Sequence, residues 1–232
     1  MTIYYQAKYL IDYDICRVLH GFPRRDISAC IDYSKIILSK GDIFVGDIRQ
    51  TETVLHNSGL KWNHIPDFPD EIGSHFGRNI EKTTLENVIN TLSSIKKPKF
   101  IKPVYKGLFP SFIYHSYINF MALLHVEETS DVWVQDFVDI DAEYRVFVCN
   151  KQILDVRCYK NWESKRPHRF WIESIIDQLP YETYILDAGS SRDGYLVIEL
   201  NDGIAFGSYG LHPEHCAMMY KSRFEQIWKD NN

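Results

Sequence analysis

The sequence predicts an α+β fold. Two hairpin patterns, at residues 143–159 and 184–200, alternate polar with apolar side chains as antiparallel strands do. Helical patterns lie between and after these hairpins, which indicates an antiparallel-rich sheet with flanking helices. Aromatic residues make up 14% of the 232 residues, and this composition favours strands and a filled core over disorder.

Residues 1–95 are predicted to form a small N-terminal α/β domain. Residues 41–47 indicate a short strand bracketed by turns. Thr84 is the predicted N-cap of a helix that ends near Ile95. The apolar stripe of this helix has helical spacing and consists of Leu85, Val88, Ile89 and Leu92.

Residues 96–232 are predicted to form a second domain. Residues 99–104 indicate a strand, residues 111–126 a helix, and residues 132–138 a strand rich in β-branched and aromatic side chains. The remaining predicted elements, in chain order, are a hairpin of residues 143–148 and 152–159 around an Asn150-Lys151 turn, a helix over 168–179, a strand pair at 184–187 and 195–200 around Asp193-Gly194, and a closing helix over 213–229.

The bulk composition excludes several classes of protein. A net charge of −5 and a pI near 6.0 argue against a general nucleic-acid binder. No apolar run approaches the roughly 20 residues of a membrane span, and the first residues do not resemble a signal peptide. Five cysteines, an odd number without a CxxC pair, predict reduced thiols in a cytoplasmic protein. The oligomeric state stays open.

Three oxygen-bearing side chains are predicted to meet on one face of the last hairpin. Glu199 and Asn201 are two residues apart on a strand and therefore point to the same side. Asp187 lies on the preceding strand, and the hairpin can bring it alongside. Two carboxylates and one amide oxygen suit a hard cation such as Mg²⁺. The alternative is a pair of solvent-facing polar residues at a strand end.

An aspartate, a hairpin turn and then a hydrophobic-Glu-x-Asn strand resemble the metal-binding signature of ATP-grasp ligases. Residues 134–138 resemble the adenine-binding hinge of these enzymes, and Phe100-Ile101-Lys102-Pro103 resembles the strand whose lysine reaches the phosphates. Residues 143–148, with Arg157 on the return strand, are similar to the ribosomal-protein glutamate ligase branch. The matches follow the family's order over residues 96–210. Two arginines and a lysine also resemble a clade from phages and bacterial conflict systems.

The resemblance implies a fold in which two α+β subdomains clasp ATP. Lys102 and Lys106 are expected to contact phosphates, or else to be solvated members of a surface lysine cluster. Gln135, Asp136, Phe137 and Val138 are expected to hold adenine through an apolar slot and backbone groups. The ribose is assigned to Asp136, Asp139 or Asp141 without a choice among them, and Glu143 is counted with the nucleotide-binding residues.

The implied activity joins a carboxylate to an amine through an acylphosphate, with ATP and Mg²⁺. Arg145, Arg157 and Lys160 are the expected catalytic residues, because guanidinium and ammonium groups neutralise phosphate and carboxylate oxygens. Surface ion pairing is the alternative for each arginine. The acceptor is left open among a peptide, a protein and a small amine.

One segment departs from the ATP-grasp pattern. The phosphate-covering loop of the family is rich in glycine and serine, whereas residues 104–111 hold one glycine and a proline. A nucleotide-binding module without ligase turnover is therefore the second hypothesis, and a phosphotransferase on the same fold is the third.

Overall fold

The computed structural model describes residues 1–7, 12–91, 97–114, 123, 126–161 and 166–231. The chain divides into two compact units. The first unit consists of Met1–His75 and Asp141–Asn232, and the second consists of Phe76–Ile140. This division describes compactness in space. The predicted domain boundary between residues 95 and 96 stays a prediction.

The first unit begins with a three-stranded parallel sheet in the order β2-β1-β3. Its strands are β1 (Ile3–Gln6), β2 (Ile27–Cys30) and β3 (Ile43–Val45), which confirms the predicted strand within residues 41–47. Its helices are α1 (Tyr13–His20) and α2 (Ile48–Asn57), and short 3₁₀ turns occur at Arg24–Asp26, Tyr33–Lys35 and Asp70–His75. Asp47 and Gln50 form a capping box that starts α2.

The second unit is built on a four-stranded antiparallel sheet in the order β4-β7-β5-β6. Its elements are β4 (Ile80–Thr84), α3 (Leu85–Thr91), β5 (Lys99–Pro103), β6 (Phe112–Tyr114) and β7 (Asp131–Asp136). The Thr84 hydroxyl accepts a bond from the Asn87 amide at 3.3 Å, which agrees with the predicted cap. The predicted end of this helix, residues 92–95, lies outside the described residues.

The predicted helix over residues 111–126 is wrong at its start, because Phe112–Tyr114 forms strand β6. Phe112 lies opposite Ile101 of β5 in an antiparallel pair. Aromatic and β-branched side chains suit a strand, and the available edge of β5 decides between the two structures. Residues 115–122, 124 and 125 lie outside the described part of the chain.

The first unit also holds a four-stranded antiparallel sheet in the order β11-β10-β8-β9. Its strands are β8 (Ala142–Cys149), β9 (Gln152–Lys160), β10 (Tyr184–Ser191) and β11 (Gly194–Asp202). Both predicted hairpins are confirmed. Asn150 and Lys151 have φ values of 51° and 60°, which give the two-residue turn the twist that a tight hairpin requires.

Two helices complete the first unit, at the positions that the sequence predicts. They are α4 (Arg169–Gln178) and α5 (Pro213–Asp230), and Pro213 occupies the first turn of α5. One hydrophobic core joins the parallel sheet to the antiparallel sheet, and Phe44, Phe147, Ile185 and Phe224 are among its members. Among the described residues, no helix is both long enough and apolar enough to cross a membrane.

Candidate functional site

A row of four charged residues crosses the antiparallel sheet of the first unit. Arg157, Arg145, Asp187 and Glu199 lie directly opposite one another on β9, β8, β10 and β11. We call these four residues the charged row. Two positive charges on one side therefore meet two negative charges on the other.

A β-bulge sets the negative end of this row. Asp187 pairs with Glu199, but Ala188 pairs with Val197, so that Ile198 is the extra residue on β11. A bulge shifts the alternation of side chains between the two faces of a strand. Here it places Glu199, and with it Asn201, on the face of Asp187, as the Glu-x-Asn spacing predicts.

The predicted metal ligands lie within hydrogen-bond distance of one another. The Asn201 amide nitrogen Nδ2 donates to Asp187 Oδ2 at 3.0 Å and to Glu199 Oε1 at 3.1 Å. Asp187 is 2% exposed, whereas Glu199 and Asn201 are partly exposed. The arrangement brings two carboxylates from different strands to one position that favours positive charge.

Arg145 forms a bidentate ion pair with Asp187. Its Nε donates to Oδ1 at 2.8 Å and its Nη2 to Oδ2 at 2.7 Å. Burial opposes the charged guanidinium, but the hydrogen bonds and charge of Asp187 outweigh burial and raise the pKa of Arg145 above its usual value. Arg145 is therefore permanently charged and directed at Asp187.

The two other predicted catalytic cations form more exposed ion pairs. Arg157 binds Asp155 with an Nη2–Oδ2 distance of 2.6 Å, and its side chain is 41% exposed. Lys160 binds Glu143 with an Nζ–Oε1 distance of 2.9 Å, and its side chain is 52% exposed. Such pairs contribute about 0–1 kcal/mol, so either cation can exchange its carboxylate for a ligand anion.

The sequence did not point to two tyrosines that surround Arg145. The guanidinium carbon lies 4.5 Å from the centre of the Tyr209 ring and 6.0 Å from that of Tyr159. Burial, followed by the charges of Asp187 and Glu143, raises the pKa of the Tyr159 phenol far above its usual range, so this hydroxyl stays protonated. The glycine-rich segment after β11 was a signal for Tyr209, because glycines mark close approaches of the backbone.

The predicted nucleotide residues of the second unit lie on β5, on β7 and in the segments that follow them. Lys102 is 7% exposed and sits opposite Trp133, while Gln135 is 3% exposed and sits opposite Phe100. Both side chains share the face opposite to Ile101, which belongs to the core of this unit. Lys106 lies in the turn after β5 and is partly exposed.

The predicted adenine segment, residues 135–138, is already engaged over its first half. The Gln135 Oε1 atom accepts two bonds from Arg78, at 2.9 and 2.7 Å, a contact that the sequence did not suggest. The Asp136 amide donates to the Asn79 carbonyl at 3.0 Å. The backbone that remains for adenine therefore narrows to Phe137 and Val138, which follow the end of β7.

The three candidate ribose ligands differ in their surroundings. Asp136 binds Lys99 Nζ at 2.6 Å and Asn79 Nδ2 at 2.7 Å, and the bond from Lys99 is the main reason why its pKa is lowered. Asp139 and Asp141 are exposed. The exposed pair requires no exchange of an internal ion pair in order to accept hydroxyl groups.

An antiparallel sheet that carries aspartate, glutamate and asparagine on one face, together with a smaller α+β unit, defines the ATP-grasp class of proteins. A model of the ATP-grasp domain, family 2 of the clade with two arginines and a lysine, matches residues 75–219, and the chain belongs to this family. A search of curated protein sequences finds no match.

Solved structures of ATP-grasp proteins share the fold along nearly the whole chain. A RimK domain protein ATP-grasp from Sphaerobacter thermophilus has a TM-score of 0.61 and 15% identity, with 96% of this chain and 99% of that chain covered. D-alanine–D-alanine ligase from Bacillus anthracis, complexed with ATP, has a TM-score of 0.59 and 11% identity, with 99% of each chain covered. ATP-grasp ligase PsnB, complexed with minimal precursor, Mg and ADP, has a TM-score of 0.50 and 11% identity, with 100% and 97% covered. These likenesses show the fold.

Proposed function

We propose that the chain is an ATP- and Mg²⁺-dependent carboxylate–amine ligase that acts through an acylphosphate. The observation that carries this proposal is the meeting of Asp187, Glu199 and Asn201 beside the arginines of the charged row, in a chain of the ATP-grasp family. A peptide or protein acceptor is the favoured class, by analogy with PsnB, whose structure holds a minimal precursor.

The chemistry of the donor set fits a magnesium ion. Asp187 and Glu199 provide carboxylate oxygens, and the Asn201 side chain has an amide oxygen as well as the nitrogen that lies between them. The partial exposure of Glu199 and Asn201 leaves a route from solvent. When bound there, Mg²⁺ supplies neutralisation of the phosphate charge.

The residues of the first unit can hold the reacting groups without a nucleophilic side chain. Arg157 and Lys160 exchange their exposed carboxylate partners for phosphate or substrate carboxylate oxygens. Arg145, which the sequence also predicts to be catalytic, keeps positive charge beside Asp187. Phosphoryl transfer depends mainly on positioning and on charge stabilisation, and these three cations supply both.

The residues of the second unit are proposed to hold the nucleotide. Lys102 lies on the face of β5 that is opposite to the core, and an ammonium group that is shielded from solvent interacts strongly with phosphate charge. Phe137 and Val138 offer the backbone groups for adenine, and Asp139 and Asp141, the latter at the start of the first unit, are the favoured ribose ligands. Lys106 is the second candidate for a phosphate contact.

A nucleotide-binding module without turnover is the second candidate, and the loop of residues 104–111 favours it. Phe109 of this loop is 7% exposed and belongs to the core of the second unit. The Leu108 amide donates to the Tyr105 carbonyl at 3.2 Å. A loop that is fastened by a buried ring closes over phosphates less freely than a glycine-rich loop.

Isothermal titration with ADP and with a non-hydrolysable ATP analogue, with and without Mg²⁺, tests the proposal. We expect Mg²⁺-dependent binding that the double variant Glu199→Ala/Asn201→Ala loses. Glu173→Ala is the matched control, because its carboxylate pairs with Arg169 on the exposed surface of α4. The absence of binding at millimolar nucleotide would refute the nucleotide site.

Phosphate release then separates the two candidates. The ligase should release phosphate when a carboxylate and an amine are both present, and the Glu199→Ala variant should not. Binding without phosphate release, over a panel of amino acids and of peptides with free carboxylates, would support the module without turnover.

A further inference from the structure

Asp187 differs from the other two proposed metal ligands in its surroundings. It is almost fully buried, and each of its two oxygens already accepts a short bond from Arg145. Oδ2 accepts a further bond from Asn201. A cation that reaches this carboxylate therefore meets a positive charge that is already in place.

Arg145 is fixed by contacts on its other sides. Its Nη1 donates to the Gly207 carbonyl at 3.1 Å, and its plane lies over the Tyr209 ring. A methyl group at Gly207 would lie 3.1 Å from the Tyr209 ring and 3.3 Å from Arg145 Nη1, so that a larger residue would crowd both. These contacts limit the directions in which the guanidinium can move away from Asp187.

The segment that holds Arg145 is itself fastened to helix α1. Asp14 Oδ1 accepts bonds from the Ser208 amide at 2.8 Å and from the Ser208 hydroxyl at 2.5 Å. Arg17 donates to the Leu211 carbonyl at 3.1 Å. The N-terminal part of the chain therefore contributes to the position of Arg145, although it lies far from the metal motif in the sequence.

We infer that Arg145 and a divalent cation compete for Asp187, so that Arg145 lowers the affinity of the site for the free metal ion. Like charges repel strongly beside a buried carboxylate, where solvent screening is weak. A nucleotide brings negative phosphate charge with the metal and offsets this repulsion. The site thus selects the metal–nucleotide complex over the free ion, and Arg145 acts on the metal as a positioning residue. The inference rests on the proposed metal site.

Binding of Mn²⁺ to the full chain without nucleotide, followed by the electron paramagnetic resonance of the free ion, tests this competition. We expect Arg145→Met to bind Mn²⁺ at least about tenfold more tightly than the unchanged protein, because one positive charge beside Asp187 is removed. Arg157→Met is the matched control. It removes the same charge one strand away, from an arginine that pairs with Asp155, and its affinity should stay within about threefold.

Three outcomes would overturn the inference. Unchanged or weaker binding by Arg145→Met excludes competition. Equal tightening in Arg157→Met indicates a general charge effect in place of a contact with Asp187. The absence of Mn²⁺ binding in every variant overturns the metal site of the proposed function and the inference together, and this result is distinct from the other two.

The unchanged protein provides a second measurement if Arg145→Met does not fold. In a nitrogen-15-labelled chain, the Nε–H signal of Arg145 reports its bond to Asp187. We expect saturating Mg²⁺ to shift this signal and to speed its exchange with water, while the Arg157 signal changes less. An Arg145 signal that does not respond while Mg²⁺ saturates the protein contradicts the inference.

Discussion

Arg145 and Arg157 lie directly opposite each other on neighbouring strands and face the same side of the sheet. Their side chains are 11% and 41% exposed, respectively. Arg145 lies on an inner strand and holds a carboxylate of the next strand from both oxygens. Arg157 lies on β9, at one end of the strand order, and holds Asp155 of its own strand.

The difference teaches that strand register gives two equal residues the same direction but not the same role. Burial makes the Arg145–Asp187 pair costly to break, since either charge alone would remain poorly solvated. Solvent makes the Arg157–Asp155 pair easy to exchange. We therefore assign the stable charge to Arg145 and the mobile ligand contact to Arg157.

The largest expected effect separates the two arginines by stability. Arg145→Met should lower the free energy of unfolding by about 3 kcal/mol, because it leaves Asp187 buried without its partner. Arg157→Met should cost less than about 1 kcal/mol, as expected for an exposed pair. Urea unfolding measures both values. Equal losses would end the distinction between the two arginines.

The same comparison applies to two phenylalanines. Phe109 is 7% exposed in the core of the second unit, and Phe170 is 85% exposed on α4. Phe109→Ala should cost about 3 kcal/mol through the lost burial and the cavity that it leaves. Phe170→Ala should change the stability by less than about 0.5 kcal/mol.

Chemical denaturation checks the pair of phenylalanine variants and sharpens the account of the loop at residues 104–111. A small loss for Phe109→Ala would show that this loop is not fastened by its ring. The second candidate function would then lose the observation that favours it.

The smallest expected effect concerns Asp136, which is more exposed than Asp187. The bond from Lys99 lowers the pKa of Asp136, so its stabilisation is present above the unfolded-state pKa and is lost as pH falls through the lower folded-state pKa. The contribution should be less than about 1 kcal/mol. Asp136→Asn and Lys99→Met should each flatten the acid side of the stability curve to a similar degree, and acid titration of unfolding measures this. A steeper acid limb in either variant contradicts the assignment.

Much of the fold could be predicted, because hairpins and helix starts depend on neighbouring residues. The turns at Asn150-Lys151 and Asp193-Gly194, the Thr84 cap and Pro213 each carry a local signal. Phe112–Tyr114 was assigned to a helix because its strand partner, β5, comes from another part of the chain. Pairing with that edge exceeds the weak local preference of a three-residue segment.

The candidate site could be predicted in its residue types more than in its contacts. The spacing of Glu199 and Asn201 indicated a shared face, and the structure brings both to Asp187. No local pattern indicated that Arg78 would bind Gln135, since the two are 57 positions apart. The same holds for the bond between Asp14 and Ser208, which are separated by 194 positions.

The sequence by itself determined the strand periodicity, the two hairpins and the Asp and Glu-x-Asn pattern, because side-chain alternation and turn geometry are local properties of the backbone. Only the tertiary structure decided which charges meet and which of them are buried. The pairing of Arg145 with Asp187 depends on the strand order β11-β10-β8-β9, which places β10 beside β8. That order results from long-range packing, in which the whole core selects the neighbours of each charge.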